Sequence, residues 1–305
     1  MNHWKPKIAT GLWVGLSLLL LIGVGISFLA FAFVQAFRQP PAQWPINLML
    51  YSELLMLFGL LLLEGLLIYY VGSAFTLHYE IDRNGIYIFW LDNQVTIPIS
   101  QIEKIESDVA GAKFKWQPMH FLGYLWGQGY TSEGKRLSLF TSCPVSQSLL
   151  IHTPNEVYAI SPAQPTAFVQ NLEQRRRLGI VKPLTPSRKA GHLIFHAYWN
   201  DRLLRGALLL TFGLNLLFLG ILAARYPSLA ANLEMRFDVV GKTTEFRPRH
   251  QTLFLPLAAF LLSLLNAGLA MLTYQNIRIG AQLLQLASVL IQVLFGIALL
   301  TIILH

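Results

Sequence analysis

Apolar and polar positions follow two rhythms along this chain. Five runs are almost continuously apolar: residues 8–37, 48–71, 206–224, 253–274 and 279–304. A bilayer core about 30 Å thick is crossed by roughly 20 helical residues, each rising about 1.5 Å. Each run therefore predicts a membrane-spanning helix. The first carries no charged residue and is long enough to require tilt. It lacks the short apolar core and small-residue ending of a cleavable signal, so it is expected to persist as a helix. Pro40, Pro41 and Pro45 form the connection to the second run, because consecutive prolines cannot continue a helix.

Between residues 73 and 179 the rhythm shortens. Residues 75–81 alternate with period two, as a half-buried strand does, and Asn84-Gly85 offers a tight turn through positive φ. Residues 86–91 read as the returning strand, and 95–99, 137–141, 149–153 and 157–160 as further strands separated by Gly, Pro, Asn and Ser. A helix follows, opened by Ser161-Pro162, with Phe168 and Leu172 on one face, Arg175, Arg176 and Arg177 in its last turn and Gly179 as its stop. The expected fold is thus five transmembrane helices plus an α+β domain, a bent antiparallel sheet with a C-terminal capping helix. Its parts are a helical hairpin (1–72), the sheet domain (73–179), a basic linker (180–205) and a three-helix region (206–305) with an external loop at 225–252.

Composition narrows the class. Of 305 residues, 54% are hydrophobic and 12% charged, whereas a soluble domain carries about 25% charged residues. A soluble enzyme with a polar surface and a disordered chain are both excluded. The single cysteine, Cys143, excludes an intrachain disulfide and a cysteine metal cluster. The net charge of +8 is unevenly placed. Residues 73–174 hold six basic and nine acidic residues, which disfavours a phosphoinositide pocket, with Lys113 and Lys115 left as a local anion site or a solvated loop. Residues 175–205 hold eight basic residues (Arg175, Arg176, Arg177, Lys182, Arg188, Lys189, Arg202, Arg205) against Asp201 alone. With Leu193, Ile194, Phe195, Tyr198 and Trp199 among them, they are expected either to meet anionic lipid headgroups of the bilayer, at about 1 kcal/mol each, or only to set topology. Nucleic acid is excluded as a partner, because the basic run is tethered beside lipid. Counted near helix ends, 11 basic residues lie on one side and six on the other, so the chain is expected to be multi-pass in a cell membrane, N-terminus cytoplasmic and C-terminus outside.

Tyr79-Glu80-Ile81-Asp82 with Gly85-Ile86, Ile97-Pro98-Ile99 with Ile102 and Ile105, Leu150-Ile151-His152-Thr153, and Tyr158-Ala159-Ile160-Ser161-Pro162 with Pro165 and Phe168 resemble a bacterial pleckstrin-homology-like domain. The resemblance implies a seven-stranded bent sheet capped by a C-terminal helix. Farther on, Tyr226-Pro227, Phe237-Asp238, Gly241, residues 253–256 and Asn266 resemble the membrane module of immunity proteins against a sporulation-delaying toxin, although Arg236 stands where that module usually has histidine.

Candidate chemistry is concentrated in the apolar runs. Glu53 and Glu64 lie eleven residues apart, about 20° on a helical wheel and roughly 16 Å along the axis. Glu64 near mid-membrane is expected to be protonated or hydrogen-bonded, with Asn215, Asn266, Gln285 and Gln292 as partners. These residues serve either an ion or proton path or polar glue between helices. Gly206, Gly213 and Gly220 mark a helix face open to close approach. His192 and His196 share a helix face but have no third ligand at suitable spacing, and Gly123, Gly127 and Gly129 read as an aromatic turn rather than a nucleotide loop. No catalytic or cofactor motif is present. The expectation is a non-enzymatic membrane protein, without cofactor, whose residues 73–179 bind a protein partner or organise an assembly. The alternative is a small transporter or immunity-like protein using Glu64 and the amides.

Overall fold

The computed structural model describes residues 2–8, 11–107, 120–121, 124–131, 134–179, 181–189, 198–237, 243–274 and 276–304. The chain divides into two compact units, residues 1–24 with 62–192 and residues 25–61 with 193–305. Two long helices, α1 (Gly11–Ala36) and α2 (Leu48–Thr76), are shared between them.

The first unit contains the sheet domain. One sheet comprises β1 (Asn2–Trp4), β2 (His78–Ile81), β3 (Gly85–Trp90), β4 (Asn93–Pro98) and, at its far edge, β11 (Ser187–Lys189). The other follows the order β5 (Lys104–Glu106), β9 (Leu149–His152), β10 (Glu156–Ile160), β8 (Arg136–Thr141), β7 (Tyr124–Tyr130) and β6 (His120–Phe121). The antiparallel expectation fails at one place: β10 pairs β8 in parallel. These two strands are buried almost continuously, as central strands covered on both faces are. Leu77, Tyr79, Ile86, Ile88, Ile97, Ile151 and Ile160 form the main core. Helix α3 (Pro165–Arg177) closes it with Phe168 and Leu172, and Gly179, at φ +80°, takes the left-handed turn that ends the helix. Tyr79 links the two sheets: its hydroxyl donates to the Phe140 carbonyl at 2.7 Å and accepts from the Ser161 amide at 3.1 Å.

Three sequence expectations change here. Residues 75–81 are not one strand, since α2 runs to Thr76 and Phe75 is exposed. The true alternation begins at Leu77. The Asn84-Gly85 turn needs no positive φ, because the Asp82 carboxylate accepts both amides at 2.7 Å. Gly85 is required for another reason: a Cβ there would sit 2.9 Å from the Ile97 carbonyl oxygen and 3.1 Å from Leu184. The stretch around Gly127 and Gly129 is strand β7, not a turn, its backbone paired with β8.

The domain also extends beyond 73–179 at both ends. Residues 2–7 do not simply precede a helical hairpin. β1 pairs β2, and farther on Lys7 N–H donates to Ser161 and Ala163 N–H to Lys5, both at 2.9 Å. Residues 181–189 do not form a free linker. The Asn84 side chain accepts the amides of Val181 and Lys182, and β11 pairs β4. Both additions cover sheet edges that would otherwise present unpaired amides and carbonyls.

The second unit is built on α4 (Arg202–Arg225), α5 (Phe254–Thr273) and α6 (Arg278–Leu304), with a hairpin of β12 (Asn232–Phe237) and β13 (Thr243–Pro248) between α4 and α5. Between apolar ends at Leu204 and at Leu222 and Leu299, its buried faces carry small or polar residues: Ala207, Thr211 and Asn215; Ala259, Ser263, Ala267 and Ala270; Ala281, Gln285, Ser288 and Gln292. Its exposed faces carry Leu209, Leu217, Leu261, Leu265, Leu283 and Leu290. Of the three glycines spaced by seven, only Gly220 has a close neighbour, since a Cβ there would lie 3.0 Å from the Tyr51 ring; Gly206 and Gly213 face open space. Among the described residues, five helices are long and apolar enough to cross a membrane.

Candidate functional site

In the three-helix unit the amides converge. Asn215 Nδ2 donates to the Pro256 carbonyl at 2.9 Å and to Gln292 Oε1 at 3.1 Å. Gln292 Nε2 donates to Ser263 Oγ at 3.0 Å, and that hydroxyl donates to the Ala259 carbonyl at 2.7 Å. The path runs amide, amide, hydroxyl, carbonyl, joining all three helices. None of these groups titrates near neutral pH, so the path fixes helix register and offers no acid–base relay. Gln285 is fully buried on the same helix as Gln292, and neither of its polar side-chain atoms has a hydrogen-bond partner among the described residues. Asn266 is half-buried and takes no part in the path.

Asn215 and Gln292, expected as partners of Glu64, thus bond to each other, because the packed helices bring an amide donor and acceptor to the same level. Glu64, in the first unit, is half-buried, and its Oε2 is shielded from solvent with no hydrogen-bond partner among the described residues. Gly23 lies beside it, at a spacing where a Cβ would come 3.7 Å from Oε1. Glu53 is half-buried in the second unit.

Asp201 organises one end of the three-helix unit. Its carboxylate caps α4 through the Leu203 amide at 3.0 Å. It also accepts from Arg278 Nε at 2.9 Å, Gln282 Nε2 at 3.2 Å and the Tyr274 hydroxyl at 3.4 Å. Burial raises the affinity of this carboxyl for a proton, but the bonds from Arg278, Gln282 and the Leu203 and Leu204 amides outweigh it and hold its pKa below the usual aspartate range. Sequence reasoning treated Asp201 only as an offset to the basic run. Its place directly before an apolar helix is the signal that was available.

The sheet domain holds a matching carboxylate. Burial alone would push the Glu156 pKa up, yet bonds from Ser138, Tyr158 and Arg188 bring it below the usual glutamate range. Arg188 Nη2 lies 2.6 Å from both Glu156 Oε1 and Ser138 Oγ. Arg188, expected to face lipid, is instead committed to the domain by the strand that carries it. Arg175 donates to Asn171 at 2.8 Å and Arg176 to the Ile102 carbonyl at 3.2 Å, while Arg177, Lys182 and Lys189 are exposed. Arg202 and Arg205 are exposed on the first turn of α4. Tyr198, expected at the interface, is fully buried against Leu204, Ala270 and Ala281. Lys113, Lys115, Gly123, His192, residues 193–195 and His196 lie outside the described residues.

Among the described residues, one group of three side chains is placed to hold a metal ion: His3, His78 and Glu80, whose ligand atoms lie within 4.8 Å of one another. Sequence spacing hid it, since 75 residues separate the first two ligands.

Residues 77–176 match the family described as Bacterial PH domain. The match begins at β2 and ends within α3, so it takes in the main core and Glu156 but not β1 or β11. No curated protein and no solved structure matches the chain. The likeness of the last residues to toxin-immunity proteins has no support from these comparisons.

Proposed function

We propose that this chain is a non-enzymatic integral membrane protein that displays its PH-like module, on the cytoplasmic side, to a protein partner or assembly. The observation that carries the membrane part is the inverted packing of the second unit, with amides and hydroxyls inside and leucines outside. Such a surface is stable where the surroundings are apolar. The module's acidic balance, six basic against nine acidic residues over 73–174, favours a protein over a phosphoinositide as its ligand. Reporters placed after residue 305 and near Gly179 test the orientation; the proposal requires the first outside and the second inside. Isolation of the full chain in mild detergent is expected to recover a stoichiometric partner that is lost when Phe168→Ala loosens the module.

A second reading, transport of an ion, proton or peptide, rests on one observation, the buried unpartnered oxygen of Glu64. Reconstituted vesicles decide it. Flux abolished by Glu64→Gln in a folded protein supports transport, whereas no flux together with a thermal stability that Gln preserves and Leu lowers supports a structural role.

A further inference from the structure

We propose that His3, His78 and Glu80 bind a divalent transition-metal ion of the zinc class and thereby fasten the amino-terminal strand to the sheet domain. The β1–β2 register places His3 directly opposite Glu80. His78 lies two residues before Glu80, so strand periodicity turns both toward the same face. The His3 Nδ1 and Glu80 Oε1 atoms are already 3.6 Å apart. Bonds of about 2.0–2.2 Å in tetrahedral geometry place ligand atoms roughly 3.4 Å from each other. The donors therefore need to close by at most about 1.4 Å, a distance that χ rotations of the half-exposed His3 and the half-buried His78 and Glu80 side chains cover.

His78 is oriented before any metal arrives. Its Nδ1 lies 2.8 Å from the Thr76 carbonyl oxygen, which only accepts, so Nδ1 carries the proton and Nε2 keeps the lone pair. A ligating histidine that donates its other N–H to a backbone carbonyl is the usual outer-shell arrangement of metal sites. The ring is held further by stacking on Phe89, with centroids 4.9 Å apart and planes 13° apart, and the His3 ring approaches to 4.5 Å. Two imidazoles and one carboxylate suit zinc better than calcium or magnesium, which take oxygen ligands. Three protein ligands leave a fourth position for water or an outside donor.

The site is also well placed to matter. β1 leads into residues 5–7, whose bonds to Ser161 and Ala163 join the end of β10. A bound ion would lock this whole arm.

The test uses the full chain in detergent, freed of metal and titrated with zinc chloride by calorimetry. The expected result is a single saturable site whose affinity falls at least tenfold in His3→Ala, His78→Ala and Glu80→Gln, while His192→Ala/His196→Ala binds as the parent does. Hydrogen exchange at the amides of β1 and β2 provides the second readout, with zinc slowing exchange in the parent and not in His3→Ala. That exposed substitution leaves the core intact, so the readout stands even where His78→Ala fails to fold. The proposal is overturned by no binding in the parent, by binding that all three variants retain, or by loss confined to the His192/His196 variant.

Discussion

The two units of this protein invert one another. In the sheet domain, Tyr79, Ile86, Ile88, Ile160 and Phe168 are inside, and the charged residues sit outside or in bonded pairs. In the three-helix unit, the leucines are outside, and Thr211, Asn215, Ser263, Gln285 and Gln292 form the middle of the interior. Only the ends of that interior are apolar, around Leu222 and Leu299 at one end and Leu204 and Ala281 at the other. The difference follows from the solvent each unit fits. Against water, apolar burial drives folding and specificity comes from packing. Against lipid, apolar burial gains little, so close approach of small residues and a few hydrogen bonds position the helices.

The same kind of substitution should therefore have unequal effects. Phe168→Ala is expected to destabilise the sheet domain by about 3–5 kcal/mol, since it removes a buried ring that touches Tyr79 and Trp4. Leu265→Ala on the exposed face of α5 should change stability by less than about 0.5 kcal/mol. Chemical unfolding in detergent, followed by hydrogen exchange on each unit, measures both; similar losses would break the comparison.

A polar deletion reverses the order. Gln292→Leu strands the Asn215 and Ser263 groups it bonds and is expected to cost about 1–3 kcal/mol, read as a lower midpoint of thermal unfolding. A variant as stable as the parent would show that the amide path contributes nothing.

Acid should affect both units in the same direction. Glu156 and Asp201 have folded-state pKa values below their unfolded ones, so the stability they contribute is complete at neutral pH and is lost as pH falls through the depressed folded values. Asp201→Asn should remove the acid-dependent loss from the three-helix unit alone, leaving that of the sheet domain. An unchanged pH profile for α4 and α6 exchange would rule out Asp201 as its source.

A small effect, of the opposite sign, is expected at Gln285. Its amide is buried without a partner, so Gln285→Leu removes a desolvated polar group and should be neutral or stabilising by up to about 1 kcal/mol. A clear loss of stability would mean that Gln285 has a bonding role that the path through Gln292 does not reveal.

Five apolar runs, strands β3, β4, β8, β9 and β10, and the helix that Gly179 ends were legible because each announces itself within about 20 residues, through length, alternation or a terminator, although that helix opens at Pro165 and not at Ser161-Pro162. Strands β1, β5 and β11, three residues each, have no such signal; they exist because a neighbouring edge accepts them. Gly85 was legible as a turn residue, but for the wrong cause, because the approach of Ile97 and Leu184 is not a local property.

What the sequence determined by itself is the apolar or alternating character of each segment and the local conformation that goes with it: helices where apolar residues run on, strands where they alternate. Partnership was decided only by tertiary structure. Asn215 with Gln292, Arg188 with Glu156, Arg278 with Asp201 and His3 with Glu80 are joined across 77, 32, 77 and 77 positions of chain. A polar side chain in the sequence states only that it needs a partner; which one it meets is set by the register of strands and the packing of helices, and that register emerges from the sum of all contacts.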